Sequence, residues 1–145
     1  MGLRMTDIML SNENMQYINM ASKITRAGIL DCVITEEKLV FIVSQGQVGI
    51  AIGAKAKNLE KLRNMFKKSI KFIEYSDDKK KFIENLCKPY KIKKIELEGE
   101  EDNTIAKVEV EFSDKSKIIG KGGKNIEIIR QLAQRHHNFK DVQIK

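Results

Sequence analysis

Residues 118–130 read Ile118-Ile119-Gly120-Lys121-Gly122-Gly123-Lys124-Asn125-Ile126-Glu127-Ile128-Ile129-Arg130. At an offset of 67 positions, which sets Gly53 against Gly120, the chain reads Ala51-Ile52-Gly53-Ala54-Lys55-Ala56-Lys57-Asn58-Leu59-Glu60-Lys61-Leu62-Arg63. Ile, Gly, Lys, Asn, Glu and Arg recur at matching places, and Leu59/Ile126 and Leu62/Ile129 match in kind. A fixed offset with the same local chemistry marks one structural unit used twice. Each copy is a glycine turn flanked by lysines and opening an amphipathic helix. Free N–H groups at a helix start, with cations beside them, form a phosphate-binding arrangement.

The 145 residues therefore divide into two units, expected at 1–75 and 76–145. Units of this size sit near the lower limit for an independent core. A hydrophobic fraction of 41% supports folding over disorder. No apolar run reaches the length of a membrane span, and residues 1–7 carry no leader-like apolar core. The Met1-Gly2 start with Thr6 matches only a loose lipidation pattern. Cys32 and Cys87 fall in different halves, so both are read as small core residues of a cytoplasmic protein, neither disulfide-bonded nor zinc-bound.

The net charge of +7 is concentrated on the repeated motif. Lys55, Lys57, Lys61, Arg63, Lys67, Lys68 and Lys71 face one acid, Glu60; Lys115, Lys117, Lys121, Lys124 and Arg130 face one acid, Glu127. The acids gather elsewhere, at Glu96, Glu98, Glu100, Glu101 and Asp102. A lysine-rich helix face alone reads as ordinary solvated surface. Its coincidence with two glycine turns points to a polyanion.

Hydrophobic periodicity predicts the same elements in each half. In the first, a helix capped by Ser11 and stopped by Gly28 precedes strands at 29–35 and 39–43. A short helix at 47–52 leads to Gly53, a helix carries Leu59, Leu62 and Phe66, and a strand spans 70–75. In the second, a helix starts at Asp77 or Asp78 and ends before Pro89, followed by strands at 92–98 and 105–112. The second strand is expected to place Ala106, Val108, Val110 and Phe112 on one face. A short helix capped by Ser113 or Asp114 ends at Gly120, a longer one runs from Asn125 to about His136, and a strand covers 142–144.

Glycine tolerates positive φ and carries no side chain, so the backbone at Gly120, Lys121, Gly122 and Gly123 can approach a sugar-phosphate chain closely. Lys121 and Lys124 add mobile donors, the helix opening at Lys124 adds its positive end, and Ile118, Ile119 and Ile126 are candidates for an apolar groove floor. In the first copy Gly53, Ala54, Lys55 and Lys57 correspond, with Ala56 where the closing glycine belongs. If that position needs positive φ, Ala56 costs about 1 kcal/mol; if it needs only closeness, the methyl can be tolerated. Weaker or shallower binding by the first copy is expected, or a helix that starts one residue early. Arg63 and Arg130 lie one face further along as contacts for flanking phosphate.

Ile-Ile-Gly-Lys-Gly-Gly-Lys-Asn-Ile at 118–126 resembles the signature of the KH domain, whose GxxG loop clamps RNA backbone. The element order resembles the type II fold, which implies an α+β architecture of two tandem KH domains, each a three-stranded sheet packed against three helices. Two such domains in direct tandem resemble the NusA-like family, and the small size resembles its short archaeal members. The resemblance implies single-stranded RNA as ligand and a role in transcription elongation or termination, with RNA polymerase as a partner. It implies no cofactor and no catalysis, and the chain is expected to act as a monomer. Two rivals stay open: a KH protein of ribosome assembly or RNA processing, and a protein-interaction adaptor.

Other features carry less. Adjacent His136 and His137 do not share a helix face, so they read as solvated or phosphate-touching residues, with no metal site. The chain has no Trp, and its three Tyr and six Phe sit mostly at core-like spacing, so aromatic stacking platforms are not expected.

Overall fold

The computed structural model describes residues 11–145. Residues 1–7, read for leader and lipidation signals, lie outside the described residues. The described residues divide into two compact units between Ser76 and Asp77.

The first unit contains α1 (Asn12–Thr25), β1 (Ile29–Ile34), β2 (Lys38–Val43), α2 (Val48–Ile52), a 3-10 turn at Ala54–Ala56, α3 (Lys57–Phe66) and β3 (Ser69–Glu74). The second contains α4 (Lys79–Cys87), β4 (Ile92–Glu98), a 3-10 turn at Glu101–Asn103, β5 (Ile105–Val110), α5 (Phe112–Ile119), a 3-10 turn at Lys121–Gly123, α6 (Lys124–His137) and β6 (Asp141–Ile144). Both units are α+β, a three-stranded sheet with three helices.

Sheet topology decides where the glycine turns go. β1 and β2 form an antiparallel hairpin, while β2 and β3 run parallel; β4, β5 and β6 repeat that arrangement. A parallel pair cannot be joined by a tight turn and needs a crossover. Here the crossover is helix, glycine turn, helix. The repeat extends beyond the motif: Leu30 bulges out of β1 between the Ile29–Val43 and Asp31–Ile42 pairs, and Lys93 bulges out of β4 between Ile92–Val110 and Lys94–Glu109. A bulge at the same place in both hairpins gives both sheets the same local bend.

In the first unit Ile18 and Ala21 of α1, Cys32 of β1, Leu39, Phe41 and Val43 of β2, Ala51 of α2 and Leu62 of α3 form one buried cluster. β2 is buried along both faces, Val40 and Ile42 included, as its unbroken apolar run requires. β5 instead alternates, with Ala106, Val108 and Val110 buried and Glu109 exposed. Phe82, Ile83 and Leu86 of α4 and Ile129 and Leu132 of α6 are buried in the second unit. Cys32 and Cys87 are buried free thiols. Among the described residues no helix is long and apolar enough to cross a membrane.

Two predicted caps are present. Ser11 Oγ accepts the Asn14 N–H at 3.1 Å, and Asp78 Oδ1 accepts the N–H groups of Lys80 at 2.9 Å and Lys81 at 3.3 Å. Four expectations need correction. Gly28 does not stop α1, which closes on Arg26 in the left-handed region (φ 61°). Gly28 is instead a close approach: a Cβ there would lie 2.3 Å from Ser44 Oγ and 3.2 Å from Ser44 Cβ, so Ser44 would have to shift. Phe112 is not on the inner face of a strand, nor do Ser113 or Asp114 cap the next helix. β5 ends at Val110, which faces Ile92, the first residue of β4, and no ladder extends beyond it. Glu111 then holds the N-cap position and Phe112 opens α5. Lastly, His136 and His137 are not merely solvated: their rings lie 5.6 and 5.3 Å from that of buried Phe82.

Candidate nucleic-acid interface

The two glycine turns follow one backbone path. Gly53 (φ 80°, ψ 165°) and Gly120 (φ 80°, ψ 168°) open them. At the third position Lys55 (φ 55°, ψ 31°) stands where the second copy has Gly122 (φ 63°, ψ 18°). At the fourth, Ala56 (φ 59°, ψ 27°) stands where it has Gly123 (φ 75°, ψ 13°). Lys57 and Lys124 then begin α3 and α6 with ordinary helical angles. The first helix therefore does not start early. Ala56 is held at positive φ, and together with Lys55 it bears a left-handed conformation that costs about 1–2 kcal/mol per residue for a side chain.

The angles explain which glycine was retained. Gly53 and Gly120 occupy a region that only glycine enters readily. A Cβ on Gly53 would lie 2.8 Å from Asn58 Nδ2, and one on Gly120 would lie 2.8 Å from Asn125 Cβ and 3.0 Å from its backbone nitrogen. At Gly123 the nearest atom to an added Cβ is Ile126 Cγ2 at 3.9 Å, so only the dihedral opposes alanine there. At Gly122 an added Cβ meets nothing within 4 Å; this is the open outer edge of the turn.

Two residues were matched in the sequence repeat without a role. Asn125 Nδ2 donates to the Ile118 carbonyl at 2.7 Å, and Asn58 Nδ2 donates to the Ile50 carbonyl at 3.1 Å. Each amide ties the start of one helix to the end of the helix before it and so holds the turn shut. Their recurrence at the fixed offset was the available signal.

The predicted residues come together as follows. Lys121, Gly122 and Lys124 are exposed at the second turn, and Ala54, Lys55 and Lys57 at the first. Among the described residues, Lys55, Lys57, Lys121 and Lys124 form no salt bridge. Ile118 and Ile126 are buried and Ile119 is half-buried, so Ile119 is the one of the three that reaches the surface beside the turn. No side chain caps the first turn of α3 or α6. The two arginines differ. Arg130 Nε donates to the Val142 carbonyl at 3.1 Å and sits 3.0 Å from Asp141 Oδ1, which clips α6 to β6. Among the described residues Arg63 pairs only with Glu60, at 3.0 Å, and stays half exposed. On β4, Lys94 Nζ lies 2.8 Å from Glu96 Oε1. That hydrogen bond, reinforced by charge, raises the Lys94 pKa and lowers that of Glu96. The described residues contain no cluster of His, Cys, Asp or Glu arranged to hold a metal.

A three-stranded sheet with an antiparallel hairpin and a parallel third strand, crossed over by helix, glycine turn and helix, defines a KH domain, here present twice, with the GxxG pattern intact in the second. Residues 79–144 match the family described as the NusA-like second KH domain, and residues 16–81 match the KH domain family. The chain is 31% identical over 140 residues to the probable transcription termination protein NusA of Methanocaldococcus jannaschii, covering 97% of this chain and 76% of that protein. The protein of the same name from Halobacterium salinarum is 31% identical over 137 residues, covering 94% of this chain and 98% of that protein. The crystal structure of APE1850 is similar with a TM-score of 0.76 and 30% identity, over 94% of this chain and 100% of that one. The chain belongs to the NusA-like family of tandem KH proteins.

Proposed function

We propose that this chain binds single-stranded RNA through its two glycine turns and acts in transcription elongation or termination beside RNA polymerase. It works by binding, without catalysis, as a monomer in the cytoplasm, with its two KH domains at 1–75 and 76–145. The observation that carries this reading is the pair of turns with one backbone path, each bordered by exposed lysines that form no salt bridge among the described residues. A turn that leaves its outer edge open and its cations unneutralised is suited to a phosphate chain. Backbone contact is assigned to Gly120, Lys121, Gly122, Gly123 and Lys124 in the leading second domain. Gly53, Ala54, Lys55 and Lys57 serve the first, and Arg63 and Arg130 touch flanking phosphate. The names of the relatives support the transcriptional role.

The test is fluorescence anisotropy with a pool of short single-stranded RNAs across a salt series, for wild type and Gly122→Asp. The added Cβ meets no protein atom within 4 Å, and Lys55 shows that a side chain is accepted at the equivalent φ. Salt-dependent binding that collapses in the variant is the expected result. Equal, weak binding by both proteins refutes the proposal and points to an adaptor. Co-purification with ribosomal particles in place of polymerase would move the role to ribosome assembly.

A further inference from the structure

Phe112 is 91% exposed, whereas the other exposed large hydrophobics among the described residues lie between 41% and 54%. Its position comes from an asymmetry between the domains. By the offset that aligns the glycine turns, the first residue of α2, Val48, corresponds to Lys115, so α5 begins three residues earlier than its counterpart. In the first domain that stretch is Gln45-Gly46-Gln47, where Gly46 has φ 79° and donates its N–H to Glu74 Oε2 at 2.9 Å. The extra turn of α5 holds Phe112 clear of the fold, and Gln45 stands at the matching place in the domain with the degenerate turn.

Phe112 and Ile119 are seven residues apart, hence on one face of α5, with Lys115 and Ser116 between them on the same side. The row runs from Phe112 to the glycine turn over about 10 Å. Glu111 beside it is paired with Lys93 at 3.9 Å, and Asp114, two residues on, falls on the opposite side. Phe112 is therefore a lone aromatic face among polar residues and lysines. A protein partner would need a contiguous apolar patch; a nucleobase needs only a ring, with cations nearby for its phosphates.

We propose that Phe112 is a base-stacking residue of the second domain, taking a base about three nucleotides from the backbone held at residues 120–123, given a spacing of roughly 3.4 Å per stacked nucleotide. This rests on the RNA-binding reading and adds a contact at a residue that the sequence pattern had placed on one strand face with Ala106, Val108 and Val110.

Because the chain has no Trp, Phe112→Trp installs a single indole fluorophore at the stacking position. In the full chain, its emission is expected to be quenched by a pool of short single-stranded RNAs, with wild-type affinity retained. Phe112→Ala is expected to keep its circular dichroism and to bind the pool about 5- to 100-fold more weakly by anisotropy. If wild type binds RNA while the indole emission of Phe112→Trp stays unchanged and Phe112→Ala binds as wild type, the stacking role is overturned and the RNA-binding reading stands. If wild type itself shows no RNA binding, both fall.

Discussion

Ala56→Gly in the first turn should stabilise the protein, and Gly123→Ala in the second should destabilise it by a similar amount. Both closing residues are left-handed, at φ 59° and φ 75°. A Cβ in this region costs about 1–2 kcal/mol. Glycine loses more backbone entropy on folding, about 0.5–1 kcal/mol. The difference leaves about 0.5–1 kcal/mol in favour of glycine. Space does not intrude, because the nearest atom to a Cβ at Gly123 is 3.9 Å away. For a unit of this size, that shifts its melting temperature by about 2–8 °C, upward for Ala56→Gly and downward for Gly123→Ala. Thermal and urea unfolding of the full chain measure both. The backbone path is the same in both turns, so a gain in RNA affinity in Ala56→Gly reports loss of the methyl together with release of its left-handed strain. A destabilised Ala56→Gly beside a silent Gly123→Ala would refute the left-handed assignment of the closing position.

Replacing Lys121 and Lys124 together by Ala should lower the slope of log affinity against log salt by about 1.4, at roughly 0.7 for each lost phosphate contact on a single strand; anisotropy at several salt concentrations reads it. Asn125→Ala strands the Ile118 carbonyl that it holds at 2.7 Å, and should cost about 1–2 kcal/mol in urea unfolding. Asn58→Ala, whose bond is longer at 3.1 Å and exposed, should cost less. Asp78→Ala removes a cap that serves two N–H groups and should destabilise the second unit by about 1 kcal/mol in the same assay.

Much of the fold was legible because it rests on local chemistry. Ser11 and Asp78 cap wherever the following N–H groups lie within reach, and the apolar run at 39–43 and the alternation at 105–110 announce how deeply each strand is buried. The misreadings occurred where the deciding partner is distant in sequence. Gly28 resembled a helix stop, yet the helix closes at Arg26 and Gly28 lies close against Ser44. The alternation through Phe112 continued correctly on paper, but a strand lasts only as long as the strand beside it, and β4 begins opposite Val110. His136 and His137 gave no sign that Phe82, on another helix, lies against both rings.

The candidate site divides along the same line. The repeat alone located both turns, their lysines and the missing glycine at Ala56, because those are properties of residue type and spacing. Whether the closing position demands positive φ or only room, which isoleucine reaches the surface, that Asn58 and Asn125 hold the turns closed, that Arg130 is bound to β6 while Arg63 is not, and that Phe112 stands in solvent were decided by the tertiary structure. Dihedrals at a crossover, and the atoms a side chain meets, are set by where the sheet places both ends of the connection, and no window of neighbouring residues contains that information.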